Sequence, residues 1–265
     1  MSLLEPTSQT ISYEVCCGNE DQRKIRFEHI SVDQTNIGIK MIDKLVIKKG
    51  STVLDLGCGT GYLTKVLSER VGPKGKVVAV DPDGERLKFA KEQYSASNIE
   101  YVQADDKTFP SGQYDIIFSN LVIHWIQDKK NFLKRVYLNL RPGGHFAFTT
   151  YDGIPAYPPI ATTLFNLMDS NFFTKIFHEK LVYLPANDYQ GLATNVWTQI
   201  SVDTESMVTE WKNLDDLIVS THVVLQEEFD PAKIDSNELK KLKEVYGHST
   251  VIRRPDKLVK GILTK

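Results

Sequence analysis

Apolar residues along this chain change period in an orderly way, short continuous runs alternating with longer stretches in which they recur every three or four positions. The spacing predicts a helix from about Glu20 to Leu45, carrying Ile30, Ile37, Ile39, Met41, Ile42 and Leu45 and stopped by Lys48-Lys49-Gly50. Val53 to Leu56 is a short apolar run. After a cluster of glycines, Tyr62, Leu63, Val66, Leu67 and Val71 return at helical spacing until Gly72-Pro73. Lys76 to Asp81 reads as a second strand, nearly continuously apolar, as expected of a parallel strand covered on both faces. A helix over Asp83 to Tyr94, strands over Ile99 to Gln103 and Tyr114 to Ser119, a helix from about Asp128 to Leu140 and a strand from His145 to Thr149 come next; Arg141-Pro142-Gly143-Gly144 separates the last two.

Beyond Asp152 the rhythm loosens. Pro155, Pro158 and Pro159 mark a loop, and the pattern predicts helices over Ile160 to Phe177, Leu214 to Leu225 and Asn237 to Tyr246. Strands are expected over Thr198 to Trp211 and Leu258 to Thr264. Strands alternating with helices of this length imply βαβ crossovers, hence an α/β, Rossmann-like, doubly wound and mostly parallel sheet with helices on both faces. One domain over residues 1–265 is expected, with a helical cap (1–50), a ligand-binding core (51–150) and a closing region (151–265).

Composition narrows the partners. A net charge of −2 offers no basic surplus for a phosphate backbone or an anionic membrane. The start MSLLEPTSQT lacks a charged-then-apolar leader and no run is long enough to span a bilayer, so a cytoplasmic protein without nucleic-acid or membrane partners is expected. Three cysteines, Cys16, Cys17 and Cys58, make no disulfide framework. The adjacent pair reads as reduced thiols, with soft-metal binding the alternative. His178, His222 and His248 have no metal-ligand spacing and are expected at the surface, so no metal site is assigned.

The stretch VLDLGCGTG places Gly57, Gly59 and Gly61 in the first strand-to-helix turn, where glycines let a ligand approach the main chain. A dinucleotide fingerprint would need glycine where Tyr62 stands, and the lysine of a phosphate loop is missing. Alone the turn is a weak signal. Asp81 comes about 20 residues later at the end of the second strand, where a carboxylate can accept both hydroxyls of a ribose. Asp105 and Asp106 close the third strand and Asn120 the fourth. Singly, each could be a cap or a solvated loop residue; four polar residues at the same ends of adjacent strands suggest a site.

VLDLGCGTG, VVAVD, QADD, YDIIFSNLVIHW and LRPGGHFAFTT together resemble the successive motifs of class I S-adenosylmethionine-dependent methyltransferases, strongly over about Gly50 to Thr150 and more loosely to the final DKLVKGILTK. The resemblance implies a seven-stranded sheet with a reversed last hairpin, a helical lid inserted after the fifth strand, and S-adenosylmethionine across the switch point. Carried over, Asp55 and the backbone of Gly57, Cys58, Gly59 and Gly61 would meet the methionine end. Asp81 and Pro82 would meet the ribose, Asp105 or Asp106 the adenine, and Asn120 and Leu121 the space near the sulfonium.

The His124-Trp125 pair is similar to the corresponding stretch of small-molecule carboxyl methyltransferases of the juvenile hormone acid, trans-aconitate and malonyl-carrier-protein type. A carboxylic acid acceptor is therefore favoured over a hydroxyl, amine or carbon atom. A carboxylate is ionised at neutral pH and needs no base, whereas the others generally do. His124 would position a carboxylate, act as base on a protonated acceptor, or merely pack; Trp125 would wall the pocket, and Tyr13 would close over the methionine end. Tyr151, Tyr157, Phe165, Phe172, Phe173, Phe177 and Trp197 read either as the lining of a pocket for an apolar or elongated acceptor or as core. A non-catalytic binder and an aminopropyl transferase are the competing readings, and the oligomeric state stays open.

Overall fold

The structure is a computed structural model that describes residues 34–225, 228–246 and 250–265. Tyr13, Cys16, Cys17, His248 and the first part of the predicted N-terminal helix lie outside the described residues; the described part of that helix, α1, covers 34–42. The described chain forms two compact units. The larger comprises Gln34–Ile154, Leu181–Ser206 and Lys257–Lys265, and the smaller Pro155–Lys180 and Met207–Asp256.

Strands β1 (Thr52–Leu56), β2 (Lys76–Asp81), β3 (Ile99–Gln103), β4 (Tyr114–Asn120) and β5 (Leu140–Tyr151) pair in parallel. With β6 (Gln199–Trp211) and β7 (Ile252–Thr264) they form a seven-stranded sheet in the order β3-β2-β1-β4-β5-β7-β6, β7 running antiparallel to β5. Strand order reverses between β1 and β4, the place where open sheets of this kind bind ligands. The expected doubly wound α/β sheet and its reversed last strand are both present.

Alternation along each strand builds two cores. Leu54, Leu56, Val78, Val80, Ile117, Phe146 and Phe148 pack on one face with Phe132, Leu133 and Val136 of α4 (Lys129–Asn139) and with Tyr189 and Ala193 of α6 (Ala186–Ala193). Their sequence neighbours Val53, Val77, Ile116, Phe118 and Ala147 pack on the other with Met41 and Ile42 of α1 and Val66, Leu67 and Val71 of α2 (Tyr62–Val71). Each fully buried aliphatic or aromatic side chain contributes about 1.5–3 kcal/mol, so the two layers hold the strand ends in fixed register. Helix α3 (Gly84–Gln93) adds Leu87 against Ala79 and Cys58.

Two sequence expectations changed. Arg141-Pro142-Gly143-Gly144 does not separate α4 from the next strand but is absorbed into β5 as an irregularity between the pairs Tyr114–Leu140 and Ile116–His145. Lys265 stabilises it, for the N–H of Gly143 donates to the Lys265 carbonyl and that of Lys265 to the Gly144 carbonyl. The helix predicted over Ile160 to Phe177 is two elements, α5 (Pro159–Met168) and a π-turn at Thr174–Lys180. Asp169 breaks it with extended backbone and a carboxylate that accepts from the N–H of Asn171. Helix α6 was not foreseen, being only eight residues between loops.

The smaller unit also contains α7 (Leu214–Leu225) and α8 (Ser236–Tyr246). Phe165, Phe172, Phe177 and Phe229 are buried in it and in mutual ring contact. Trp197 is buried in the larger unit beside Tyr137 and Phe146. For these residues the core reading holds; Tyr151, Tyr157 and Phe173 are only half-buried. His222, expected at the surface, is half-buried with Nδ1 2.6 Å from the Phe229 carbonyl oxygen.

Candidate active site at the carboxyl edge of the sheet

Register places the candidate residues along one line. Leu56 lies opposite Val80 and Asp55 opposite Phe118, so Gly57 is level with Asp81 on one side and Asn120 on the other; Asp81 pairs with Gln103, and Asn120 with Thr149. The polar strand ends are brought together because parallel strands of similar length stop at the same edge.

The three glycines have different tasks. Gly57, Gly59 and Gly61 have φ of 75°, 54° and 86°, a region glycine enters without cost. A side chain at Gly57 would meet Val122 at 2.3 Å and one at Gly61 would meet Ala90 at 2.7 Å, whereas one at Gly59 would enter open space. Two of the glycines thus serve protein packing; Gly59 is the one that leaves room beside the main chain. Cys58 is buried against Ala79 and Leu87, and burial next to Asp55 and Asp81 pushes its thiol well up, so it is no nucleophile.

Asp81 joins this turn to the ribose-side candidates. One carboxylate oxygen accepts from the N–H of Gly59 at 2.9 Å and the other from that of Asp83 at 3.0 Å, leaving each oxygen a further lone pair. Burial raises its pKa, partly offset by Arg86 and these donors. Pro82 is next in the chain, its carbonyl accepting from Gln103 at 3.0 Å. Asp55 lies deeper, 2% exposed, and accepts from the Thr64 hydroxyl at 2.6 Å; burial raises its pKa to about 7. It fastens β1 to the first turn of α2. That helix has no side-chain cap and no acid in its first turn, so its end can receive an anionic group.

The two acids after β3 separate. Asp105 closes a turn, accepting from the N–H groups of Lys107 and Thr108 and from the Thr108 hydroxyl, which lowers its pKa. Asp106 lies in the same turn, half-buried, and burial near Asp105 raises its pKa. It is the better adenine-side candidate. Asn120 is spoken for by protein, donating to the carbonyl of residue 34 at 2.9 Å and accepting from the Thr149 hydroxyl at 2.7 Å. Leu121 has φ 56°, unusual for a branched residue and held by its N–H, which donates to the Thr149 carbonyl at 3.0 Å.

That turn directs Ile123–Trp125, a single 3₁₀ turn, over the edge. His124 is buried among rings: Tyr183 stacks on it at 5.7 Å, with Tyr151 at 5.4 Å and Trp125 at 5.9 Å. Its Nδ1 lies 3.1 Å from the Thr150 hydroxyl, and its carbonyl accepts from the N–H of Val182 at 2.8 Å. Burial, helped by the Lys129 cation, drops its pKa to about 3, so the ring is neutral at physiological pH. Lys129 is itself buried in the first turn of α4, donates to the Ile126 carbonyl, and is lowered to about 8 by desolvation against the pull of Asp106. Thr150, Tyr183 and Lys129 were missed by sequence reasoning, since neither periodicity nor motif marks a residue whose partner is distant in the chain.

Among the described residues no group of three His, Cys, Asp or Glu side chains is placed to hold a metal, and no helix is long and apolar enough to cross a membrane.

The chain is 33% identical to a trans-aconitate 2-methyltransferase of Azoarcus sp. over 48% of this chain and 49% of that protein. It is 33% identical to a ubiquinone/menaquinone biosynthesis C-methyltransferase of Escherichia coli over 62% of this chain and 66% of that one. The chain thus spans about half the length of the first relative and just under two thirds of the second. The crystal structure of a Haemonchus contortus phosphoethanolamine N-methyltransferase in complex with S-adenosyl-L-methionine shares the fold, with a TM-score of 0.59 and 17% identity over 97% of this chain and 60% of that one. Residues 47–249 match the family described as a methyltransferase domain, and the chain belongs to that family.

Proposed function

We propose that this protein is an S-adenosylmethionine-dependent methyltransferase acting on a small molecule, with a carboxylic acid as the preferred acceptor. The residues along the edge fit the cofactor: open space at Gly59, spare lone pairs on Asp81, a free helix end at α2 and Asp106 beyond β3. When bound, that cofactor supplies an electrophilic methyl group whose sulfonium charge is lost on transfer. The chain's part is alignment and exclusion of water, which need neither metal nor covalent intermediate.

The observation that carries the acceptor choice is the neutral His124 ring. A base whose conjugate acid has a pKa of about 3 is too weak to take a proton from a hydroxyl, amine or carbon acid at neutral pH, yet it can hydrogen-bond an acceptor that arrives ionised. Trp125 and Tyr183 then wall that acceptor. A second reading has one point in its favour: Lys129, lowered to about 8, could serve as base for a protonated acceptor, as a carbon acceptor would require.

Titration calorimetry with S-adenosylhomocysteine tests the cofactor. Binding is expected, weakened about tenfold or more in Asp81→Ala through loss of charge-assisted hydrogen bonds; absence of binding overturns the proposal. Incubation with methyl-labelled cofactor and pooled acids, phenols and amines tests the acceptor. Base-labile label marks an ester and supports the carboxylic acid, base-stable label selects the second reading, and binding without transfer to any pool indicates a non-catalytic member.

A further inference from the structure

Leu121 is one of two non-glycine residues with positive φ among those described, and it stands where β4 ends and the turn carrying His124 and Trp125 begins. A left-handed leucine costs energy that its surroundings must offset, and residues held in such conformations gather at functional sites. Two acceptors on a single residue hold this one. The Leu121 N–H donates to the carbonyl oxygen of Thr149 at 3.0 Å and to the Thr149 hydroxyl oxygen at 3.1 Å. Thr149 is completely buried.

The direction of every bond in this group is fixed. A backbone carbonyl can only accept, so the Asn120 amide turns its nitrogen to the Gln34 carbonyl at 2.9 Å and its oxygen to the Thr149 hydroxyl at 2.7 Å. A backbone N–H can only donate, so the Thr149 oxygen accepts from Leu121 and sends its own hydrogen to Asn120. A directed chain thus runs from α1 through Asn120 and Thr149 to Leu121. Val122, the next residue, fills the space beside Gly57, where an added Cβ would come within 2.3 Å of it. Consecutive residues of a strand face opposite ways, so Thr149 reaches the entrance of the turn while Thr150 reaches the His124 ring.

We propose that Thr149 is the positioning residue of this turn: its hydroxyl, oriented by Asn120, holds Leu121 left-handed and so fixes where His124 and Trp125 stand beside the glycine turn. Without that oxygen Leu121 keeps one acceptor of two, its backbone moves toward the regions a leucine ordinarily occupies, and the residues that follow move with it. The effect on transfer rests on the proposed acceptor site at His124; the clamp does not.

The test uses the full chain labelled with ¹⁵N-tryptophan and reads its three indole N–H signals, with Trp125→Phe to assign the one from the turn. Trp197 and Trp211, both buried elsewhere, report on packing at large. Thr149→Val keeps the shape of the side chain and removes the hydroxyl. It is expected to shift or split the Trp125 signal while the other two stay in place, and Thr149→Ser, which keeps the oxygen, to leave the Trp125 signal as in the wild type. With an acid found to be methylated, Thr149→Val should lower kcat about tenfold or more through misplacement of the turn, with a smaller change in S-adenosylhomocysteine affinity, and Thr149→Ser should not. A Trp125 signal unmoved by Thr149→Val, moved equally by Thr149→Ser, or moved only together with the other two, overturns the proposal. Should Thr149→Val fail to fold, Thr149→Ala, which removes the same hydroxyl with less bulk, decides by the same signals. The spectra need neither acceptor nor transfer, so failure of the methylation reading and failure of the clamp are separable.

Discussion

The N–H of Gly59 donates to the Asp81 carboxylate at 2.9 Å, tying the turn after β1 to the end of β2 across twenty-two residues of sequence. The turn and the acid behave as one unit. Its carboxylate position depends on a backbone that only a left-handed turn provides, and the turn's central N–H depends on the acid.

Because the glycines differ, substitutions should separate binding from stability. Gly59→Ala meets no atom within 4 Å and is expected to cost about 1 kcal/mol from its positive φ while weakening S-adenosylhomocysteine binding about tenfold or more. Gly61→Ala would place its methyl 2.7 Å from Ala90 and is expected to lose about 2 kcal/mol or more of stability. Urea unfolding and calorimetry on both variants check the contrast.

Asp55 should leave a signature in the pH dependence of stability. Its pKa is about 7 folded against 3.8 for a free aspartate, so between those values the native state holds the extra proton. Stability from this group is present at low pH and is lost as pH rises, with a slope up to about 1.4 kcal/mol per pH unit that levels off above 7. Asp81, also raised, acts in the same direction. Asp55→Asn keeps an acceptor for Thr64 and should flatten the slope, as measured by urea midpoints at a series of pH values.

Asn120 holds α1 to the sheet through the carbonyl of residue 34 and through Thr149. Asn120→Ala is expected to cost about 1–3 kcal/mol through two lost bonds and an orphaned carbonyl. Amide exchange should accelerate in 34–42 while the Gly57 to Gly61 turn keeps its protection.

In the smaller unit, Arg254 and Asp256 form a buried ion pair at 2.8 Å, the guanidinium lying 4.4 Å from the Tyr157 ring centre. Thr209 donates its hydroxyl to the same carboxylate. Arg254→Leu alone should cost about 3–5 kcal/mol because it strands a buried charge, and Arg254→Leu with Asp256→Leu together much less. A double-mutant cycle by urea unfolding gives the coupling.

The larger unit was legible because its signals are local. A parallel strand buried on both faces writes itself as Val77-Val78-Ala79-Val80, and an abrupt strand end writes itself as Asp81 or Asn120. The chain beyond Tyr151 was harder to interpret. The aromatics at Phe165, Phe172 and Phe177 have the same spacing whether they line a pocket or pack on Phe229, and only their contacts distinguish the two.

By itself the chain determined the order of strands and helices, the glycine turn and the acids at the strand ends, since each depends on neighbours a few positions away. Tertiary structure decided which of those residues keep open space: a side chain at Gly59 would meet nothing within 4 Å, while Gly57, Gly61, Asp105 and Asn120 are occupied by protein groups. It also decided that His124 is neutral and that Thr150 and Tyr183 meet its ring. Burial and hydrogen bonding between residues far apart in sequence are properties of the packed state, and no period or motif along the chain encodes them.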